Sequence, residues 1–348
     1  MRNSLVRTIV VGLLLGVGCS PVSAEELPAW LQKTTVSVLF FGDAYWVSEH
    51  HDAAADGASG MWLRRFFFTV DQKLSDTISA RLRLEGNSQG NFSSSTDITP
   101  FLKDAYLRYT KGRQALTIGL SPTPTFDAVE KNWGYRSVEK TLLDLQRIAG
   151  TRDFGISLQG SFDEGKKVRY NAQIGNGAGT RDEVNEGKKA SLAVGFYPDG
   201  GWVFELYGDV EDRPDSTDRT TYRLFGGIER TWGRVGVEAG RQSRDLAAGG
   251  SQDLEFASAW AVFKVSDAWS ILLRADRMFD PNPEGNRIPY LPFATNAEST
   301  LVLLGADFRV AKGLSLIPNV EFVTYGRAKT GSDPDDDVLV RLTFAYQL

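Results

Sequence analysis

The sequence predicts an all-β chain, a transmembrane antiparallel β-barrel of 16 strands whose third external loop folds inward. Three observations lead there. Apolar residues recur with a period of two, the residues between them carry full charges, and short turns alternate with long loops. Composition removes the alternatives. At ~100–200 residues per domain, 348 residues would ordinarily make two domains, but one closed barrel can take up the whole chain. A mean hydropathy of −0.24 excludes a helical membrane protein, which needs repeated apolar runs of ~20 residues. An aromatic content of 11% excludes a solvated disordered chain. The net charge of −5 opposes binding to nucleic-acid phosphates. The single cysteine, Cys19, can make neither an intrachain disulfide nor a cysteine-based zinc site.

Residues 1–24 read as a secretory signal peptide. Arg2 and Arg7 form a basic start, Ile9 to Val17 an apolar stretch, and Val22-Ser23-Ala24 a small-residue cleavage site. The exported chain, residues 25–348, then contains no cysteine for periplasmic oxidation to act on.

Strands are expected near residues 34–46, 61–72, 78–87, 102–110, 114–121, 152–162, 167–175 and 188–197. Eight more follow near 201–210, 220–231, 233–242, 254–265, 269–279, 299–309, 314–325 and 338–348. The last is the clearest. Val338, Val340, Leu342, Phe344 and Tyr346 alternate with Leu339, Arg341, Thr343, Ala345 and Gln347, which a strand separates onto two faces and a helix would scatter. Residues 78–87 do the same, with Ile78, Ala80, Leu82 and Leu84 against Ser79, Arg81, Arg83 and Glu85. The segment from Trp62 to Val70 is noisier, because Arg64 interrupts its apolar row.

Arg81, Arg83 and Glu85 cannot fill a dry core, so their face meets water outside a sheet or inside a lumen. Connection lengths decide. Lys73-Leu74-Ser75-Asp76, Lys111-Gly112-Arg113, Asp163-Glu164-Gly165 and four later turns are tight, whereas the odd-to-even junctions are long. That alternation is expected of an outer-membrane barrel with periplasmic turns and external loops. Trp202, Trp232, Trp269, Phe162 and Phe196 sit beside the tight turns, where an interfacial girdle belongs. The longest loop is the third, residues 122–151. Within it, Val138 to Ile148 is expected to form a short helix that packs Leu142, Leu145 and Ile148 on the wall.

Four stretches resemble the phosphate-selective porin family of Gram-negative outer membranes, the O and P type. They are Trp62-Leu63-Arg64-Arg65-Phe66, Leu102-Lys103-Asp104-Ala105-Tyr106-Leu107, Ile118-Gly119-Leu120, and Gly150-Thr151-Arg152-Asp153-Phe154-Gly155-Ile156. Their order and spacing match over residues 60–180. The resemblance implies a trimeric outer-membrane porin through which small polar or ionic solutes diffuse passively, anions such as phosphate among them. Its surroundings would be outer-membrane lipid and lipopolysaccharide. Arg64 and Arg65 match the family's paired arginines, and Asp104 matches the acid of its Asp-Ala-Tyr run. Family members commonly carry a lysine just before the third loop, where this chain reads Gly119-Leu120-Ser121-Pro122.

The inferred lumen also holds Arg81, Arg83 and Arg108, and within the loop Lys131, Arg136 and Lys140 are candidates for the constriction, with Glu130, Glu139 and Asp144 among them. This mixed lining leaves anion selectivity and a broader polar pore both open. No cofactor, metal or catalytic residue is expected. His50 and His51 are the only histidines, and sequence neighbours rarely share one zinc ion in tetrahedral geometry. Two alternatives stand beside the porin. One is a barrel hydrolase that recruits one of these histidines, and the other a plugged structural or adhesion barrel.

Overall fold

A computed structural model describes residues 28–92 and 97–348, and the expected signal peptide lies outside the described residues. Among the described residues, sixteen strands run in chain order. β1 (Thr34–Glu49), β2 (Ser59–Lys73), β3 (Ile78–Gly86), β4 (Phe101–Lys111), β5 (Gln114–Pro122) and β6 (Arg152–Ser161) come first. β7 (Val168–Gly175), β8 (Lys189–Phe196), β9 (Trp202–Glu211), β10 (Arg219–Arg230) and β11 (Gly233–Asp245) follow. β12 (Ser251–Lys264), β13 (Trp269–Met278), β14 (Ser299–Ala311), β15 (Leu314–Tyr325) and β16 (Asp337–Gln347) complete the sheet. Each strand pairs antiparallel with its sequence neighbours, and β1 also pairs with β16. The barrel is therefore closed, and no edge strand is left to lipid.

The alternation seen in the sequence separates inside from outside. In β16, Leu339, Arg341 and Thr343 are buried in the interior, while Val340 and Leu342 face outward and are exposed. Leu206, Tyr222 and Leu224 each expose about 60% of their surface on the outer wall, which only a hydrocarbon environment tolerates over so wide a belt. Beside the short turns, Trp202 stacks with Phe204, Trp232 lies against Phe263 and Trp269 stacks with Phe308, at centroid distances of 5.9, 6.1 and 6.0 Å. Their rings form the aromatic rim that the turn-side residues predicted.

One odd-to-even junction is short after all. β11 and β12 are joined by residues 246–250 only, because their ladder climbs to the pair Asp245 and Ser251. Near its top, Arg241 on the outer face bonds Asp253 and lies 3.8 Å from Glu255. Polar residues on both faces leave no alternating signature there, so the sequence reading stopped the strands at 242 and 254.

Two irregularities in the ladder place charge inside. Between the pairs Phe41 with Arg65 and Asp43 with Trp62, Gly42 alone faces both Leu63 and Arg64. This is a β-bulge, and it turns Arg64 inward beside Arg65. Gly42 is required there, because an added Cβ would lie 2.2 Å from the Trp62 carbonyl oxygen. The same device in β4 places Lys103 as an extra residue between Leu102 and Asp104, opposite Arg83 and Leu84. Lys103 and Asp104 are consequently both buried in the interior.

Leu224, near the middle of β10 on the outer wall, tests the membrane assignment. Leu224→Arg should lower the unfolding free energy in lipid vesicles by about 2–4 kcal/mol, the cost of a guanidinium near the bilayer midplane. Urea unfolding followed by tryptophan fluorescence measures it.

Candidate functional site

Loop 3, residues 123–151, leaves β5 and turns into the barrel. Its chain forms the helix Asp127–Trp133 and a single turn at Leu142–Leu145. The helix expected over Val138 to Ile148 is thus shorter, since Arg147 adopts a positive φ of 57° that ends it. Leu142, Leu145 and Ile148 are nonetheless all buried, as the wall-packing reading required. The helix Asp127–Trp133 was not foreseen, because seven residues are too few to establish a helical period.

An apolar patch on the inner wall holds the loop. Val129, Trp133 and Val138 pack on Phe225, Trp260, Val262, Leu272, Leu303 and Ile317, which project inward from β10 to β15. The Trp133 indole N–H donates to the Glu139 carbonyl at 2.8 Å, and Trp260 donates to the Asn132 side-chain oxygen at 2.8 Å. Gly236 in β11 lets the helix come this close, because a Cβ there would lie 2.5 Å from the Asn132 oxygen. These wall residues make the stretch from Phe256 to Phe263 of β12 largely apolar on both faces.

A second loop also bends inward, and sequence reasoning missed it. Loop 7, residues 279–298, buries Ile288, Leu291 and Phe293 against Val47, Leu145, Leu301, Val323 and Leu339. Its Tyr290 reaches β2 and the segment after β3, where its N–H donates to Gly90 O at 2.6 Å and its hydroxyl lies 2.7 Å from Ser88 O and 3.0 Å from Arg64 O. Asn282 donates to the Gln146 carbonyl at 2.8 Å, tying loop 7 to loop 3. The Pro-rich stretch around these residues has no period to reveal it.

Charged side chains fill the space between loop and wall. Arg64 donates to the carbonyl of Val138 at 2.6 Å and to Glu139 at 3.0 Å, with Asp43 3.4 Å away. Arg341 meets the same Glu139 at 3.3 Å and bonds Glu321, and Arg274 pairs with Asp276 and bonds the Lys140 carbonyl. Burial alone would raise the Glu139 carboxyl, but Arg64, Arg341 and Lys140 hold it down to about 2. Burial acts the other way on Lys140 and lowers its ammonium to about 8. Arg136 donates to Asp144 at 2.6 Å and lies 3.5 Å from Glu130.

A cavity of about 200 Å³ lies under the loop, lined by Arg83, Lys103, Arg136 and Arg152 with Glu130 and Thr69. The carboxylates that pair with these cations stand behind them. Asp104, partner of Arg83 at 3.3 Å and of Arg152, has no exposed side-chain surface, and Glu85, 2.8 Å from Lys103, exposes 3%. Toward the short turns a second cavity, about 530 Å³, is lined by Arg108, Arg169, Gln159, Tyr197 and Asp127 among others.

The residues singled out in the sequence are distributed over this interior. Arg64 is buried and grips the loop, Arg65 lies 3.1 Å from Glu85, and Arg81 pairs with Asp71 at 2.7 Å. Arg83 and Arg136 line the smaller cavity, Asp104 lies behind it, and Arg108 lines the larger one. Lys131 is solvent-exposed and Lys140 is buried. Lys103 and Arg152 were missed as site residues, the first because a bulge breaks the count of two and the second because it opens β6 beside the luminal Asp153. Among the described residues, one group of three metal-ligating side chains converges, and it stands apart from the constriction at the outer mouth. It comprises His50, His51 and Asp337, so the two adjacent histidines share one cluster of potential ligands.

A closed barrel with an apolar outer belt, its charged interior narrowed by an inward loop, defines a membrane channel of the outer-membrane type. The chain belongs to the Gram-negative porin family, whose model matches residues 11–333. This agrees with the porin resemblance carried by residues 60–180. The anion-selective porin from Comamonas acidovorans shares 15% identity at a TM-score of 0.67, with 90% of this chain and 99% of that one covered. OmpT of Vibrio cholerae and the outer membrane channel DcaP of Acinetobacter baumannii each share 12% identity at a TM-score of 0.62, covering 90% of this chain and 97% of theirs. At such identities the likeness establishes the fold. No curated protein sequence matches the chain.

Trp133 is the anchor whose removal should free the loop without opening the barrel. Trp133→Ala should cost about 3–5 kcal/mol of packing, taken from loop docking. Single-channel recording should show a larger and noisier conductance, while the protein keeps the heat-modifiable gel mobility of a folded barrel.

Proposed function

We propose that this porin is a passive diffusion channel that favours small anions, with inorganic phosphate among its candidate solutes. The observation that carries the reading is the order of charges around the smaller cavity. A passing ion meets Arg83, Lys103, Arg136 and Arg152 at contact, whereas Asp104 and Glu85 lie one layer back, and Glu130 is the one carboxylate on the surface of that cavity. Coulomb energy falls with distance, about 1 kcal/mol at 4 Å in water for unit charges and half that at twice the separation. Cations at contact therefore outweigh carboxylates behind them even where the whole cluster is close to neutral. The carboxylates hold the arginines extended, and the arginines meet the solute.

In this reading Arg64 and Arg65 position the loop and its surrounding field. Arg81 and Arg108 extend the cationic path toward the periplasmic side, and Lys131, Arg136 and Lys140 supply the loop's own charge, with Asp104 as the buried counter-charge. Transport needs no bond-making step, cofactor or metal at the constriction. Residues 1–24 act as the export signal, and the mature barrel sits as a homotrimer among outer-membrane lipid and lipopolysaccharide. Support for the trimer comes from OmpT of Vibrio cholerae, one structure of which is described as a trimer form. Support for the anion preference comes from the similar Comamonas porin, described as anion-selective.

Reversal potential across a planar bilayer in a KCl gradient tests the proposal. The sign should report chloride preference, which should weaken as salt rises and screens the cations. The double variant Lys103→Glu, Arg136→Glu should move the potential toward potassium. A cation-preferring wild type would overturn the anion reading, and a folded protein with no conductance would overturn the channel itself.

A pH dependence follows from Lys140. Its ammonium is charged below about 8 and neutral above, so raising the pH from 7 to 9 removes positive charge from the loop. Chloride preference should fall over that interval, and part of the fall should vanish in Lys140→Gln.

A further inference from the structure

Barrel closure brings together residues from opposite ends of the chain at the outer mouth. His50 and His51 follow β1, and Asp337 opens β16, the strand that β1 pairs with. The imidazoles stack with centroids 4.4 Å apart and planes at 24°. His51 Nδ1 lies 2.8 Å and His50 Nδ1 3.9 Å from the same oxygen, Asp337 Oδ1. One ligand atom from each residue falls within 4.8 Å of the others. We propose that His50, His51 and Asp337 form a binding site for a divalent transition-metal ion of the zinc class, fastening the outer end of β1 to that of β16.

Chemistry supports each ligand. An ion held about 2.0–2.1 Å from two imidazole nitrogens and a carboxylate oxygen needs those donors roughly 3–3.5 Å apart, so shifts of about an ångström bring this set into place. His50 is held as the required tautomer. Its Nε2–H donates to the Pro292 carbonyl at 3.1 Å, which leaves the one lone pair on Nδ1; that lone pair accepts the Asp52 N–H at 2.9 Å, and the ion would displace this hydrogen bond. Such a carbonyl partner on the far nitrogen is the usual orienting contact of a metal-bound histidine. Since a carboxylate only accepts, His51 Nδ1 carries the proton that it shares with Asp337, and the ion would displace it to Nε2 without net proton loss. The second oxygen of Asp337 accepts the Tyr325 hydroxyl at 2.5 Å, which fixes the carboxylate plane. Asp337 and the His50 side chain are fully buried, while His51 exposes 16% of its side chain and gives the ion a way in. Three protein ligands leave the fourth tetrahedral position to water. Two imidazoles with one carboxylate select zinc, copper, nickel or cobalt over magnesium and calcium, which prefer oxygen alone.

Calorimetric titration of the refolded, detergent-solubilised protein with ZnCl2, after chelator treatment, tests the site. One zinc per chain should bind, at least tenfold more weakly in His51→Ala and in Asp337→Asn. Asp335→Asn, Asp336→Asn, which changes the neighbouring acidic run, should bind as the wild type does. With CuCl2, the electron paramagnetic resonance spectrum should carry splitting from two nitrogens. No zinc binding by the wild type, equal affinity in His51→Ala, or an all-oxygen copper spectrum would each overturn the proposal. If Asp337→Asn fails to fold, His51→Ala decides, because His51 is the ligand nearest solvent.

Discussion

Everything in this molecule follows from the absence of water in hydrocarbon. A backbone N–H or C=O facing lipid has no solvent partner, so each strand must be bonded on both sides and the sheet must return on itself. The pairing of β1 with β16 is the contact that meets this condition. Once it is made, the two faces of every strand are committed to different environments, and the period of two becomes a map of inside and outside. Charges can then be placed in the interior at no cost to the belt, as Arg83, Glu205 and Arg341 are.

The interior is itself divided. One side, formed by β10 to β15, presents Phe225, Trp260, Leu272 and Leu303 and accepts the apolar side of loop 3. The other side, from β2 to β6, presents Arg83, Lys103 and Arg152 to the open space, with Asp104 and Glu85 behind them. A loop pinned by hydrophobic contact on one side faces an electrostatic surface on the other, so the opening is set by packing and its ionic character by charge. Glu139 joins the two halves, because it is part of the pinned loop and binds Arg64 and Arg341 from the wall.

Much of this was legible in the sequence. The bounds of β15 match the reading residue for residue, the inward third loop was visible in its length, and Arg81, Arg83, Arg341 and Glu85 were placed on the inner face by alternation alone. What escaped did so for identifiable reasons. A bulge shifts the face of every residue after it within a strand, so counting by two could flag Arg64 as an interruption but could not turn it inward. Lys103 gave no warning, since its neighbours still alternate acceptably. Loop 7 folds inward through Ile288, Leu291 and Phe293, whose spacing belongs to no regular element. His51 and Asp337 are separated by 286 positions and meet only because the sheet closes.

The bulges carry a consequence for how such a pore diversifies. A substitution can change the sign of one wall position, but an insertion or deletion of a single residue opposite Gly42 would rotate a whole charged side chain between hydrocarbon and lumen. Pairing resumes in step on either side of the defect, as it does from Arg65 to Gln72. A lineage can therefore edit the number of cations at its narrowest point by small length changes within the wall, leaving the strand count and loop lengths as they were.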